Sequence, residues 1–99
     1  MIDWRQAKGF DWDEGNSRKS VDKHKVGQSE SEQIFFNKPL LVLTDKKHNQ
    51  LEGRYHALGR SEDDRKLHVT FTLRSQGSLI RVISARDMHR RERQVYEQT

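Results

Sequence analysis

The sequence predicts one small α+β domain: a curved antiparallel sheet of four or five strands, with two short helices ahead of it and a C-terminal helix behind it. Three observations carry this reading. Residues 53–85 hold three strand-like segments separated by short turn-like ones, the spacing of antiparallel hairpins. Helix signals flank that block on both sides. The chain has 99 residues, 31% of them hydrophobic, which suffices for one modest core.

The elements follow in order. Residues 1–9 read as an N-terminal extension, because Arg5 to Gly9 carries no hydrophobic period, and the domain is expected to span 10–99. Phe10 and Trp12 alternate with Asp11 and Asp13, the pattern of a short half-buried strand. Asn16 is placed to cap a polar helix running to about His24. Ser29 and Glu32 form a capping box for a short helix over 30–36. That helix must end before Pro39, which disfavours α conformation in the residue ahead of it. Leu40–Leu43 is a short apolar strand. Gly53–Arg60, Lys66–Arg74 and Leu79–Ala85 are the three strands of the central block, with turns at Ser61–Asp64 and Ser75–Ser78. Ser84 and Asp87 are cap candidates for a helix over 87–97, rich in the good helix formers Arg, Glu and Gln. All helices are expected on one side of the sheet.

Alternation assigns the faces. Leu67, Val69, Phe71 and Leu73 point one way, and His68, Thr70, Thr72 and Arg74 the other. A four-residue loop at Ser75–Ser78 pairs Arg74 with Leu79, Thr72 with Arg81 and Phe71 with Val82. A one-residue slip would drive Arg81 into the core. Burying Arg54 and His56 without partners is costly. Tyr55 and Ala57 therefore face the core, and Arg54 and His56 lie opposite Thr72 and Thr70. The polar face then gathers Arg54, His56, Thr70, Thr72, Arg74 and Arg81. Three guanidiniums converging there suit a polyanion, since the planar fork binds phosphate bidentately.

Composition excludes several classes. The longest apolar run, Leu40–Leu43, is far short of a membrane span, and the N-terminus lacks a hydrophobic signal core. There is no cysteine, so no disulfide scaffold and no thiolate metal site. A cytoplasmic protein is expected. Nineteen Lys and Arg against fifteen Asp and Glu give +4 and a pI near 9.6, which favours a nucleic-acid or acidic-protein partner. Histidines 24, 48, 56, 68 and 89 show no metal-ligand spacing, and neither a nucleophile elbow nor a glycine-rich phosphate loop is present. No metal and no cofactor are expected. Metal-free RNA cleavage fits what remains: the 2′-hydroxyl is an internal nucleophile, and the protein supplies proton transfer and cations. The alternative is a non-catalytic module binding RNA or an acidic protein.

Several stretches resemble the BrnT family of type II toxin–antitoxin toxins. They include Phe10-Asp11-Trp12-Asp13, Lys23-His24 with Val26, Phe35-Phe36-Asn37 with Pro39, and Asp45 with His48. Glu52 with Arg54-Tyr55-His56-Ala57-Leu58-Gly59, Phe71-Thr72-Leu73-Arg74, Ile80–Arg86, Glu92 and Tyr96 continue the likeness. The resemblance implies a RelE-like fold and a ribonuclease that inhibits translation. It also implies a BrnA-like antitoxin that neutralises the toxin and carries the complex to its own promoter DNA. Two positions depart from the family pattern: Lys25 stands where many members have Gly, and Ser20 where many have Asn.

On this reading Arg54, Arg74 and Arg81 grip the scissile and neighbouring phosphates. His56, or Lys23 and His24 brought over by the first helix, handles protons. Glu52 orients one of these groups. Thr72 donates a hydrogen bond to the RNA, and Arg86 and Arg90 extend the RNA contact along the last strand and helix.

Overall fold

The computed structural model describes residues 4–45 and 53–99. The three central strands are the frame. β3 (Arg54–Arg60), β4 (Lys66–Arg74) and β5 (Leu79–Asp87) pair antiparallel. Arg54 opposes Thr72 and His56 opposes Thr70. Phe71 opposes Val82, Thr72 opposes Arg81, and Arg74 opposes Leu79. This is the register that the alternation demanded, and burial decides it: Val69 and Phe71 are fully buried. Burying such a side chain stabilises by roughly 2–3 kcal/mol. The tight turn after Arg74 places Ser75, Gln76 and Gly77 at positive φ.

The outer strands complete a mixed sheet, in the order β1-β5-β4-β3-β2. β2 (Leu41–Thr44) runs antiparallel to β3. β1 (Gly9–Phe10) runs parallel to β5, so the sheet is not wholly antiparallel as expected. No hairpin forces that edge to be antiparallel. It is held instead by Lys8 N–H to the Ser78 carbonyl (2.7 Å) and Asp11 N–H to the Ile80 carbonyl (2.8 Å).

Asn16 secures the same edge and caps no helix. Its amide donates to the carbonyls of Asp11 and Val82, and its Oδ1 accepts from Asp13 N–H. α1 accordingly starts later, at Lys19–His24. It ends where Lys25 turns left-handed at φ 59. α2 (Gln28–Gln33) starts after Gly27, ahead of the expected Ser29 cap, and tightens into a 3₁₀ turn over Ile34–Phe36. Gly59 on β3 allows the closest approach: a Cβ there would stand 2.8 Å from the Ile34 Cβ.

The main core lies between these two helices and one sheet face: Val26, Ile34, Ala57, Leu67, Val69, Phe71, Ile80, Val82 and Ala85. The stretch read as an extension contributes too, since Trp4 packs edge-on against Phe35 and Phe71.

The opposite face carries a second, smaller cluster: Leu58, Met88 and Tyr96, with Leu41 against it. It is built by α3 (Arg90–Glu97), so helices cover both faces rather than one. β5 runs on to Asp87, past the expected stop at Ala85, and α3 begins three residues later than expected. Glu92 receives the His89 N–H at 2.8 Å, closing the first turn. The Tyr96 hydroxyl then donates to the Pro39 carbonyl (2.6 Å), pinning the helix across the sheet. Among the described residues, no helix is long and apolar enough to cross a membrane.

Candidate active site

The polar sheet face is a set of rows, each about 7 Å from the next because side chains on one face recur every second residue. Arg54, Thr72 and Arg81 form one row. His56, Thr70 and Ser84 form the next, and Leu58, His68 and Arg86 the third.

That last row depends on a bulge. The β4–β5 register shifts between Thr70 and Phe71, leaving Ile83 without an opposite residue. The shift returns Ala85 to the core and swings Ser84 and Arg86 onto the polar face.

His56 is held at both ring nitrogens. Nε2 lies 2.9 Å from Asp45 Oδ2, and Nδ1 lies 2.9 Å from Thr70 Oγ1. Asp45 follows β2 directly and donates its N–H to the Arg54 carbonyl, which places its carboxylate diagonally across the ladder. An ionised Asp45 accepts Nε2–H and leaves Nδ1 as the acceptor for the Thr70 hydroxyl, the tautomer of a proton-accepting imidazole.

His68 lies beside it, ring centroids 5.0 Å apart and planes tilted by 37°. Burial, reinforced by the positive charge of Arg86, pushes its imidazole down to about 4. It is neutral near pH 7, and its buried Nδ1 has no hydrogen-bond partner. Glu92 reaches in from α3 and takes both Arg86 guanidinium nitrogens, at 2.8 and 3.0 Å. Burial opposes its ionisation, but the hydrogen bonds from Arg86 and the His89 amide outweigh it and hold the carboxyl at about 2. Asp45, His56, His68 and Glu92 border a cleft of about 550 Å³, with Leu43, Thr44, Leu58, Arg91 and Val95 completing its walls.

The expected site residues separate into groups. Arg54 and Arg74 lie on the polar face with His56, both half-buried, and Arg54 makes no ion pair among the described residues. Arg81 shares that face but is committed: Asp13 takes it at 2.9 and 3.1 Å, and Asp11 at 3.3 Å. Its side chain is 16% exposed. The Asp13 hydrogen bond raises its already high pKa, and the same contact lowers that of Asp13. Arg81 therefore serves first to fasten the β1 segment. Thr72 is 1% exposed, and its hydroxyl donates to the Gly53 carbonyl, so it supports the turn into β3. Arg86 is engaged with Glu92.

Arg90 faces a different hollow, beside Met88 and Arg93, and it is Arg91 that borders the cleft. Lys23 and His24 are not brought over. α1 lies along the β5 edge, where Ser20 Oγ accepts the Ala85 N–H (2.7 Å). Its end is gripped by Arg65, which donates to the His24 and Lys25 carbonyls and pairs with Asp87. Glu52 lies outside the described residues.

Sequence reasoning passed over Asp45 and His68 as chemical groups. The signal for Asp45 is the β2–β3 register: pairing Leu43 with His56 sets Asp45 one diagonal away. The alternation had already placed His68 on the polar face, but only the bulge brings Arg86, and through it Glu92, beside it.

Among the described residues, no three His, Asp or Glu side chains are arranged to hold a metal ion. Residues 12–92 match the family model of BrnT, the ribonuclease toxin of type II toxin–antitoxin systems. No curated protein matches the chain.

Proposed function

The chain belongs to the BrnT family of ribonuclease toxins, and on that premise we propose that it is a metal-independent endoribonuclease whose reaction centre is the cleft at His56. The observation that carries this is the Asp45–His56–Thr70 chain, set one row from Arg54 on the same sheet face.

The substrate 2′-hydroxyl takes the place of the Thr70 hydroxyl at His56 Nδ1 and gives up its proton there. Its oxygen bonds to the adjacent phosphorus, and the bond from phosphorus to the 5′ oxygen breaks. The 5′ oxygen takes up a proton from solvent water, and the His56 imidazolium gives its proton back to solvent before the next turnover. The ends are a 2′,3′-cyclic phosphate and a 5′-hydroxyl. Arg54 and Arg74 stabilise the charge that grows on the phosphorane, a role open to guanidinium without a metal. Asp45 is the positioning group, steadying the imidazolium as it forms. Arg81 and Arg86 are each offset by carboxylates, so the further positive potential comes from Arg91 on α3. DNA lacks the nucleophile, so RNA alone is cut. Cleavage of messages halts translation, the expected route to growth arrest in the cytoplasm.

A BrnA-like antitoxin is the proposed partner, neutralising the toxin by covering this cleft or displacing α3 and carrying the pair to promoter DNA. Support for displacement is the small seam under that helix, Met88 and Tyr96 on Leu58 and Leu41; weakly held elements exchange readily.

The decisive experiment is digestion of purified RNA with and without EDTA, with analysis of the ends. Cleavage that survives EDTA, leaves cyclic phosphate ends and disappears in His56→Ala is expected. Cleavage abolished by EDTA, or products with free 3′-hydroxyls, would overturn the mechanism.

A further inference from the structure

We infer that the aromatic groove on the opposite side of the sheet, around Trp4 and Phe36, is a subsite that stacks unpaired bases of the RNA flanking the cleavage point; this rests on the nuclease reading above.

Phe36 is 77% exposed, the highest value among the large hydrophobic side chains of the described residues. Its ring meets Phe10 edge-on, which leaves ring surface open to a ligand. Two hollows of about 380 and 770 Å³ both draw on Trp4, Arg5, Phe35 and Phe36. Lys8 rims the first, and Lys38 the second. Glu32, the one acidic side chain among the described lining residues, accepts the Trp12 indole N–H at 2.7 Å. An aromatic floor under a basic rim is the combination that holds single-stranded nucleic acid: every base has a face to stack, and every linkage a charge to neutralise. The position also fits a strand running from this groove into the cleft. The larger hollow extends past Pro39 to Thr99. The Thr99 hydroxyl donates to the Val95 carbonyl (3.3 Å), and Val95 lines the His56 cleft. Thr99 and Val95, one from the lining of each hollow, are therefore hydrogen-bonded neighbours at the C-terminal end of α3.

The test uses the purified full chain and a fluorescein-labelled, unstructured 2′-O-methyl RNA 12-mer, which cannot be cut because its 2′ oxygens are capped. Phe36→Ala should weaken 12-mer binding about tenfold, the scale of one lost base stack. Lys38→Glu should weaken it too, and should flatten the dependence of log Kd on log salt by about 0.7, the value of one single-strand phosphate contact. His56→Ala should bind the 12-mer normally and fail to cut the matching RNA. Unchanged affinity in either Phe36→Ala or Lys38→Glu overturns the subsite, and an acidic protein segment then becomes the better occupant. If the parent cuts no RNA but its binding still depends on Phe36 and Lys38, the nuclease reading fails and the subsite stands.

Discussion

The carboxylate of Asp45 lies 2.9 Å from Nε2 of His56, on the diagonal of the ladder that pairs Leu43 with His56 and Thr44 with Tyr55. The Asp45 side chain is only 11% exposed, so its charge acts on the imidazole with little screening. Asp45→Asn keeps the shape and removes the charge. Single-turnover cleavage should slow tenfold or more at unchanged KM. His56→Ala should lose about 10²–10⁴, the usual share of proton transfer. Parental rates in Asp45→Asn would show that the carboxylate does not position the imidazole.

Arg54, Arg74 and Arg81 share a face, yet their replacement should read out differently. Arg54→Ala should weaken RNA binding and relieve growth arrest with little change in thermal stability, and Arg74→Ala should weaken RNA binding and relieve growth arrest as well. Arg81→Ala removes the clamp on Asp11 and Asp13. Its cost should be about 1 kcal/mol after allowing for the exposure of Asp13, or about 4–8 °C in Tm for a domain of this size. Circular dichroism melts separate the two classes. An Arg81→Ala protein melting like the parent would show that the carboxylates do not need it.

Acid should destabilise the fold well before the carboxylates are neutralised. The His68 imidazole titrates at 6.5 when unfolded and at about 4 when folded. Between these values the unfolded chain binds the extra proton. Stability is then complete above about pH 6.5 and is lost as pH falls towards 4, by about 3 kcal/mol in all. Glu92, held at about 2 against 4.5, adds a loss of the same sign at lower pH. Urea melts from pH 7 to 4 should show the decline, and His68→Gln should flatten it above pH 4.5. An equally steep decline in His68→Gln would assign the acid sensitivity elsewhere.

Lys25 closes α1 at φ 59, ψ 33, a left-handed conformation that suits glycine and strains a residue with a Cβ. Its backbone N–H still bonds back to Val21, so glycine can keep the cap. Lys25→Gly should raise stability by roughly 0.5–1 kcal/mol. A lower Tm would mean that the Lys25 side chain contributes more than its backbone costs.

The central ladder was legible because its constraints are periodic. Two hydrophobic alternations joined by a four-residue loop admit one register, and placing Arg54, His56, Thr72 and Arg81 followed from it. The edges were not legible, for a different reason. Gly9–Phe10 is too short to have a period, and its direction is set by contacts with Ser78 and Ile80, seventy residues away. Asn16 has the chemistry of a helix cap, but the same amide serves a tertiary bond to Val82. Ser20, which departs from the family pattern, is likewise spent on Ala85. The family match over 12–92 confirms the resemblance drawn from those motifs. The site was legible in part: alternation finds His56, but only the β2–β3 pairing brings Asp45 to it.

The unopposed Ile83 has a consequence for how this chain tolerates change. In a regular strand the loss of one residue turns every side chain beyond it to the other face. Here, losing Ile83 itself would leave Ser84 next to Val82 with Ala85 still inside and Arg86 still outside, whereas straightening the bulge with Ile83 kept would turn Ala85 to water and Arg86 into the hydrocarbon interior. The bulge thus absorbs the surplus residue and keeps the two halves of one ribbon in phase.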